Sequence, residues 1–144
     1  MNHILVPIGS NENASNTLQY AIDFAKELNA KVFVFRAYKA LSKAGTLINI
    51  NNILERETNL YLKSIISNID TKGVSVKMIS AKGGTIESIQ SVKSELGIDL
   101  ILVGPRSNSI REELFLGSTS GGIVKQTDIP VLIVPENYKF NPFK

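Results

Sequence analysis

The chain has 144 residues, 43% apolar and 20% charged, with 16 basic against 13 acidic side chains for a net charge of +3. That is the length of a single globular domain, and its mild, scattered positive charge is unlike the Lys/Arg runs of a nucleic-acid arm. Zero cysteine and a single histidine, His3, exclude a disulfide framework and a thiolate metal site, and argue against a His-based zinc site or a Ser-His-Asp triad.

The apolar pattern alternates between two periods along the chain. Ile4-Leu5-Val6 opens it as a strand-like run. His3, just before, reads as structural or exposed. Leu18, Ala21, Ile22, Ala25 and Leu28 then form one face of a helix, with Asp23, Lys26 and Glu27 on the other. Val32 to Phe35 is the second strand. Lys39 to Asn49 reads as a surface loop. A second helix is expected from about Ile50 to Ile69, and a third strand over Val74 to Ile79. Thr85 to Leu96 predicts a third helix, stopped by Gly97 as a C′ glycine stops one. Leu100 to Val103 is apolar throughout, which suits a strand buried on both faces. A short fourth helix fits Thr119 to Thr127 before Pro130, and Val131 to Val134 is the fifth strand. Glu136 to Lys144 reads as an extension that packs weakly or on a partner.

Strands alternating with helices predict an α/β fold. It has right-handed crossovers, a parallel sheet and helices on both faces. The expectation is one domain over residues 1–144. No apolar run exceeds about five residues, against the roughly 20 that span a bilayer. Met1 to Pro7 lacks the charged and apolar regions of a signal peptide. A cytoplasmic protein that binds neither membrane nor nucleic acid is the reading.

In open α/β sheets, ligands bind beyond the C-terminal strand ends, where the strand order reverses. The loops to read are therefore Pro7-Ile8-Gly9-Ser10-Asn11-Glu12-Asn13, Arg36-Ala37-Tyr38-Lys39, Ser80-Ala81-Lys82-Gly83-Gly84, and Gly104-Pro105-Arg106-Ser107 leading to Gly117-Ser118-Thr119-Ser120-Gly121-Gly122. A phospho-receiver domain needs carboxylates after the first and third strands. Gly9-Ser10-Asn11 and Ser80-Ala81-Lys82 do not offer a phospho-accepting Asp or a Mg²⁺ site there. Neither GxxxxGK[ST] nor GxGxxG occurs. Residues 104–122 are different. Glycines allow close backbone approach, and helix-start N–H groups with the Ser118, Thr119 and Ser120 hydroxyls make an anion site. The alternative is that Ser118 to Ser120 only cap the helix, while Gly121 and Gly122 let it pack tightly against the sheet.

The stretch Gly104-x2-Ser107-x9-Gly117-Ser118 resembles the nucleotide motif G-x2-G-x9-G-[S/T] of the universal stress protein family. The opening Ile4-Leu5-Val6-Pro7, the Glu12-Asn13-Ala14 before an amphipathic helix, and the Ile129-Pro130-Val131-Leu132-Ile133-Val134-Pro135 ending match it too. The resemblance covers residues 3 to about 135. It implies a five-stranded parallel sheet in the order 3-2-1-4-5, a Rossmann-like three-layer sandwich. It also implies a homodimer paired through the last strand, Val131, Leu132, Ile133 and Val134. One subgroup of the family binds ATP or AMP. In that subgroup the adenosine lies on positions matched by Pro7, Ile8, Gly9 and Ala37, and Val103 is a further nucleotide-binding position. The phosphates, with or without Mg²⁺, lie on Gly104, Arg106, Ser107, Gly117, Ser118, Thr119 and Ser120. Another subgroup lacks the motif and does not bind ATP, in which case this chain would take no nucleotide cofactor.

Two positions depart from the binding pattern. Gly9 stands where the family usually has Asp, and losing a charged hydrogen bond typically costs about 1.5–3 kcal/mol. Ser107 replaces the second motif glycine. If that position needs φ > 0, serine is strained by about 1–2 kcal/mol; if not, its N–H and hydroxyl remain useful.

Arg106 and Arg111 read as charge neutralisers for a phosphate chain or as solvated arginines, Arg111 pairing with Glu112 or Glu113. Lys39 and Lys43 are further candidates from the second-strand loop. Tyr38 stacks on a base or packs at a strand end, and Glu87 and Glu95 form a solvated helix face. The Ser118-to-Gly122 likeness to the loop of ATP pyrophosphatases is positional chance. The leading function is a nucleotide-binding stress-response sensor or regulator without efficient hydrolysis, since no base, nucleophile or metal cluster flanks the loop. The competitors are a dimeric interaction module without nucleotide, and an adenine-nucleotide hydrolase whose catalytic residues are missing.

Overall fold

The computed structural model describes residues 2–9, 13–39, 47–104, 122–123 and 125–142. Five strands pair in the order β3-β2-β1-β4-β5. They are β1 (His3–Pro7), β2 (Lys31–Tyr38), β3 (Val76–Lys82), β4 (Leu100–Val103) and β5 (Val131–Ile133), and every pair is parallel. The expected fold is therefore the observed one. The apolar runs explain which strands are central. Ile4, Leu5 and Val6 of β1 and Ile101 and Leu102 of β4 are fully buried. The edge strands β3 and β5 are mostly half-buried or exposed.

Helices cover both faces. α1 (Ala14–Leu28) and α2 (Leu47–Ser67) lie on one side, where Leu18, Ala21, Ile22, Leu62 and Ile65 join Ile4, Val6, Val32, Val34 and Leu102. α3 (Thr85–Leu96) lies on the other, where Ile89 and Val92 join Leu5, Phe33, Phe35, Ile101 and Val103. Asn29 ends α1 in the left-handed region at φ 55°, returning its N–H to the Ala25 and Lys26 carbonyls. Gly97 ends α3 at φ 62°. Gly122, Ile123, Lys125 and Gln126 are helical, within the expected fourth helix. Gln90 donates to the Gln126 carbonyl (3.0 Å), and Lys93 pairs with Asp128 just beyond. A Cβ on Gly122 would sit 3.1 Å from Ile86 Cδ1, so the close neighbour of this glycine is α3 and not the sheet that the sequence suggests.

Several boundaries moved. α2 starts at Leu47, inside the expected loop, and ends at Ser67. β2 continues through Arg36, Ala37 and Tyr38, which the sequence reading put in a loop. β3 runs to Lys82 because it pairs with that extension residue by residue, Val32 with Val76 through Tyr38 with Lys82. The C-terminal extension is not loose. Phe140 stands edge-on to Tyr20 (5.4 Å) and Phe24 (6.0 Å), Tyr138 lies 6.0 Å from Tyr20, and Asn16 donates to the Tyr138 carbonyl.

His3 is structural, at the sheet's N-terminal edge. Its Nδ1 donates to the Leu96 carbonyl (2.7 Å) and its ring stands edge-on to Phe33. Beside it, the Asp99 carboxylate accepts from the Asn2 and His3 N–H groups (2.8 and 3.0 Å).

Candidate functional site

The order β3-β2-β1-β4-β5 reverses direction between β1 and β4, so the crevice beyond their C-terminal ends is the switch point. Parallel pairing brings the ends of three strands level there. Pro7 pairs with Phe35 of β2, so Gly9, two residues on, stands level with Ala37. Ile4 and Leu5 pair with Leu100 and Ile101, and the same offset sets Pro7 against Val103. Six sequence-nominated residues thus share one edge of the sheet. Ile8 and Val103 are buried and Gly9 is exposed; Pro7, Ala37 and Gly104 are intermediate. The other six, Arg106, Ser107, Gly117, Ser118, Thr119 and Ser120, lie outside the described residues, as do Arg111 and Lys43. Lys39 is exposed just past β2.

The sequence argument credits glycine at 104 with letting a ligand approach. The structure supplies a nearer occupant. A Cβ at Gly104 would overlap the hydroxyl of Thr17 and lie 3.4 and 3.5 Å from its Cβ and Cγ2. Thr17 is buried on α1. The glycine therefore admits α1 against the end of β4, which brings the helix start close to the crevice.

Two residues at this edge escaped the sequence reading. Arg36, in β2, donates from Nη1 to the Ile8 carbonyl (3.3 Å). Tyr61, in α2, donates its hydroxyl hydrogen to the Gly9 carbonyl (2.8 Å). The Arg36 guanidinium carbon stands 4.7 Å from the centre of the Tyr61 ring, a cation–π distance. No local sequence signal marks the pair, because the contacts depend on α2 folding back across β2. Tyr38 closes β2, with its phenol pushed above the ordinary value by burial and then by the nearby Glu55 carboxylate. Its carbonyl accepts from Gly83 N–H (2.9 Å).

Chemically, the described residues at this edge offer main-chain groups, the Arg36 guanidinium and the Tyr61 and Tyr38 phenols. Among the described residues no group of three or more His, Asp or Glu could hold a metal ion. No described helix is long and apolar enough to cross a membrane. An open groove of about 850 Å³ lies elsewhere, between α2 and the edge strand β3, lined by Arg56, Leu60, Lys63 and Met78 among others.

The edge strand β5 carries Val131, Leu132 and Ile133, each half-buried, followed by buried Val134. Leu132 and Val134 belong to the α1/α2 core, Val131 and Ile133 to the α3 core. Val134 N–H donates to the Val103 carbonyl (2.8 Å), which continues the β4–β5 ladder to the end of β4.

The universal stress protein family model matches residues 1–135. The Bacillus subtilis universal stress protein YxiE is 28% identical over 145 residues, spanning 92% of this chain and 98% of its own. Among solved structures, MJ0577 of Methanocaldococcus jannaschii superposes with a TM-score of 0.78 at 23% identity, covering 96% of this chain and 98% of that one. A universal stress protein from Archaeoglobus fulgidus, solved in complex with dAMP, gives a TM-score of 0.66 at 18% identity, covering 92% of this chain and 97% of that one.

Proposed function

The chain belongs to the universal stress protein family, and from that premise we propose that it is a cytoplasmic stress-response regulator that binds ATP or AMP without efficient hydrolysis. One observation carries the reading. Pro7, Ile8, Gly9, Ala37, Val103 and Gly104 share the C-terminal sheet edge at the switch point, where open α/β sheets take ligands. The dAMP complex of the Archaeoglobus relative supports an adenine nucleotide as the ligand class.

In this reading the adenosine rests on Pro7 to Gly9 and Ala37, and Val103 is a further nucleotide-binding position. The phosphates meet main-chain N–H groups and hydroxyls from Gly104, Ser107, Gly117, Ser118, Thr119 and Ser120, with Arg106 neutralising charge and Mg²⁺ accompanying a triphosphate. Such donors suit holding a phosphate better than breaking one, because hydrolysis also needs a side chain positioned to activate the attacking water. We further propose a homodimer joined along β5 through Val131 to Val134.

The test begins with denaturing the purified protein and assaying the supernatant for nucleotide. The stripped protein is then titrated with AMP and ATP by calorimetry. Bound nucleotide and a saturable heat are expected; no released nucleotide and no heat at millimolar ligand overturns the reading. A Gly117→Asp variant, which sets a carboxylate where the phosphate belongs, should abolish binding.

The competing reading, an interaction module of the same family that takes no nucleotide, is favoured by Gly9, which has no carboxylate to meet a nucleoside, and by Ser107 in place of the second motif glycine. A Leu132→Asp variant should elute as a monomer under either reading. Calorimetry separates the two.

A further inference from the structure

The turn leaving β1 is held at three main-chain groups of Ile8 and Gly9. Ile8 N–H donates to the Phe35 carbonyl (2.8 Å). The Ile8 carbonyl accepts from Arg36, and the Gly9 carbonyl accepts from Tyr61. The two side chains brace each other, the guanidinium over the ring. β2 and α2 thus meet over the Ile8–Gly9 peptide.

Peptide geometry converts this brace into a direction. Arg36 draws the Ile8 carbonyl toward β2. A planar trans amide then turns the Gly9 N–H the opposite way, toward β4. On that side lies the switch-point crevice. Gly9 has no side chain to hold itself, and a glycine backbone left alone is the most permissive of all.

We propose that Arg36 and Tyr61 are positioning residues for ligand binding. Together they aim the Gly9 N–H into the β1/β4 crevice as a donor to an acceptor oxygen of a nucleoside phosphate. Affinity at the mouth then depends on α2, which carries Tyr61. Where a carboxylate at position 9 would accept a hydrogen bond, this chain offers a donor. The inference rests on the nucleotide reading above for the identity of its ligand.

Tyr61→Phe is the discriminating variant. It keeps the ring and the Arg36 stack and removes only the bond to the Gly9 carbonyl. Gly9 is exposed, so water can satisfy that carbonyl and the melting temperature should barely move. The amide ¹H–¹⁵N resonance of Gly9 should shift in the ligand-free protein. Calorimetric affinity for AMP should fall by about three- to tenfold, the range of one net hydrogen bond. Arg36→Lys, which cannot reproduce a stacked planar fork, should shift the same resonance and weaken AMP likewise. Equal AMP affinity in wild type and both variants overturns this proposal and leaves the nucleotide reading standing. A wild-type protein that takes no AMP overturns the nucleotide reading, and this role with it.

Discussion

Replacing Gly104 with alanine puts one methyl group where the Thr17 hydroxyl already sits. The methyl carbon would lie at ordinary van der Waals distance from Thr17 Cβ and Cγ2, 3.4 and 3.5 Å, so only the hydroxyl overlaps. Thr17 is 4% exposed, on the buried face of α1, and cannot swing into solvent. It must rotate against its buried neighbours, or α1 must move off the sheet. Overpacking of this kind typically costs about 1–3 kcal/mol, and a value near 2 lowers the melting temperature by about 4–8 °C in a chain of this size. The φ of Gly104 lies outside the left-handed region, so the cost is steric and not conformational. Thermal and urea unfolding of Gly104→Ala, Thr17→Ala and the double variant therefore form a test cycle. Thr17→Ala removes the overlapping hydroxyl, so the double variant should be more stable than additivity predicts by about 1–2 kcal/mol. A Gly104→Ala protein as stable as wild type, or a cycle with no coupling, would refute the packing role. The glycine would then owe its place to something beyond β4.

Other consequences follow from individual contacts. Gly97 makes the opposite case to Gly104. Its φ is +62° and a Cβ would meet only His3 Nδ1 at 4.0 Å, so Gly97→Ala should cost about 1 kcal/mol through backbone conformation, and Gly97→Asn, which tolerates that region, less. The Asp99 carboxylate is held below the usual carboxylate range by the Asn2 and His3 N–H groups. A depressed folded-state pKa contributes stability that is full above the unfolded value, about 3.9, and is lost as pH falls through the folded value. Urea midpoints between pH 6 and pH 2 should therefore fall less steeply in Asp99→Asn than in wild type, and parallel curves would contradict the assignment. Phe140→Ala removes two edge-on ring contacts to α1 and should cost roughly 1 kcal/mol. An unchanged melting temperature would mean that the tail contributes nothing there.

The sequence was most legible where structure is set locally. Thr85 to Leu96 and the Gly97 stop were read residue for residue, because the helix period and a left-handed terminator are both written nearby. β4 was read to the residue for a related reason: a strand buried on both faces must be apolar throughout. Legibility failed where pairing decides. Arg36, Ala37 and Tyr38 do not continue an apolar run, yet they are strand, because β3 pairs with them out to Lys82. Val74 and Ser75 look like strand, yet β3 starts at Val76. The tail reads as an extension that packs weakly or on a partner, because no helix or strand period runs through it, yet Tyr138 and Phe140 find Tyr20 and Phe24 on the outer side of α1. At the site, the strand-end residues were legible because fold class alone selects that edge. Arg36 and Tyr61 were not, since their tie to Ile8 and Gly9 exists only once α2 lies across β2.

An adenine nucleotide bound at the C-terminal edge of β1, β2 and β4, as proposed above, can be located by titrating ¹⁵N-labelled protein with AMP and following the amide resonances. Saturable shifts are expected, concentrated at Ile8, Gly9, Ala37, Val103 and Gly104. Shifts concentrated instead at Arg56, Leu60, Lys63 and Met78, in the groove between α2 and β3, or no shifts at millimolar AMP, would contradict that proposal.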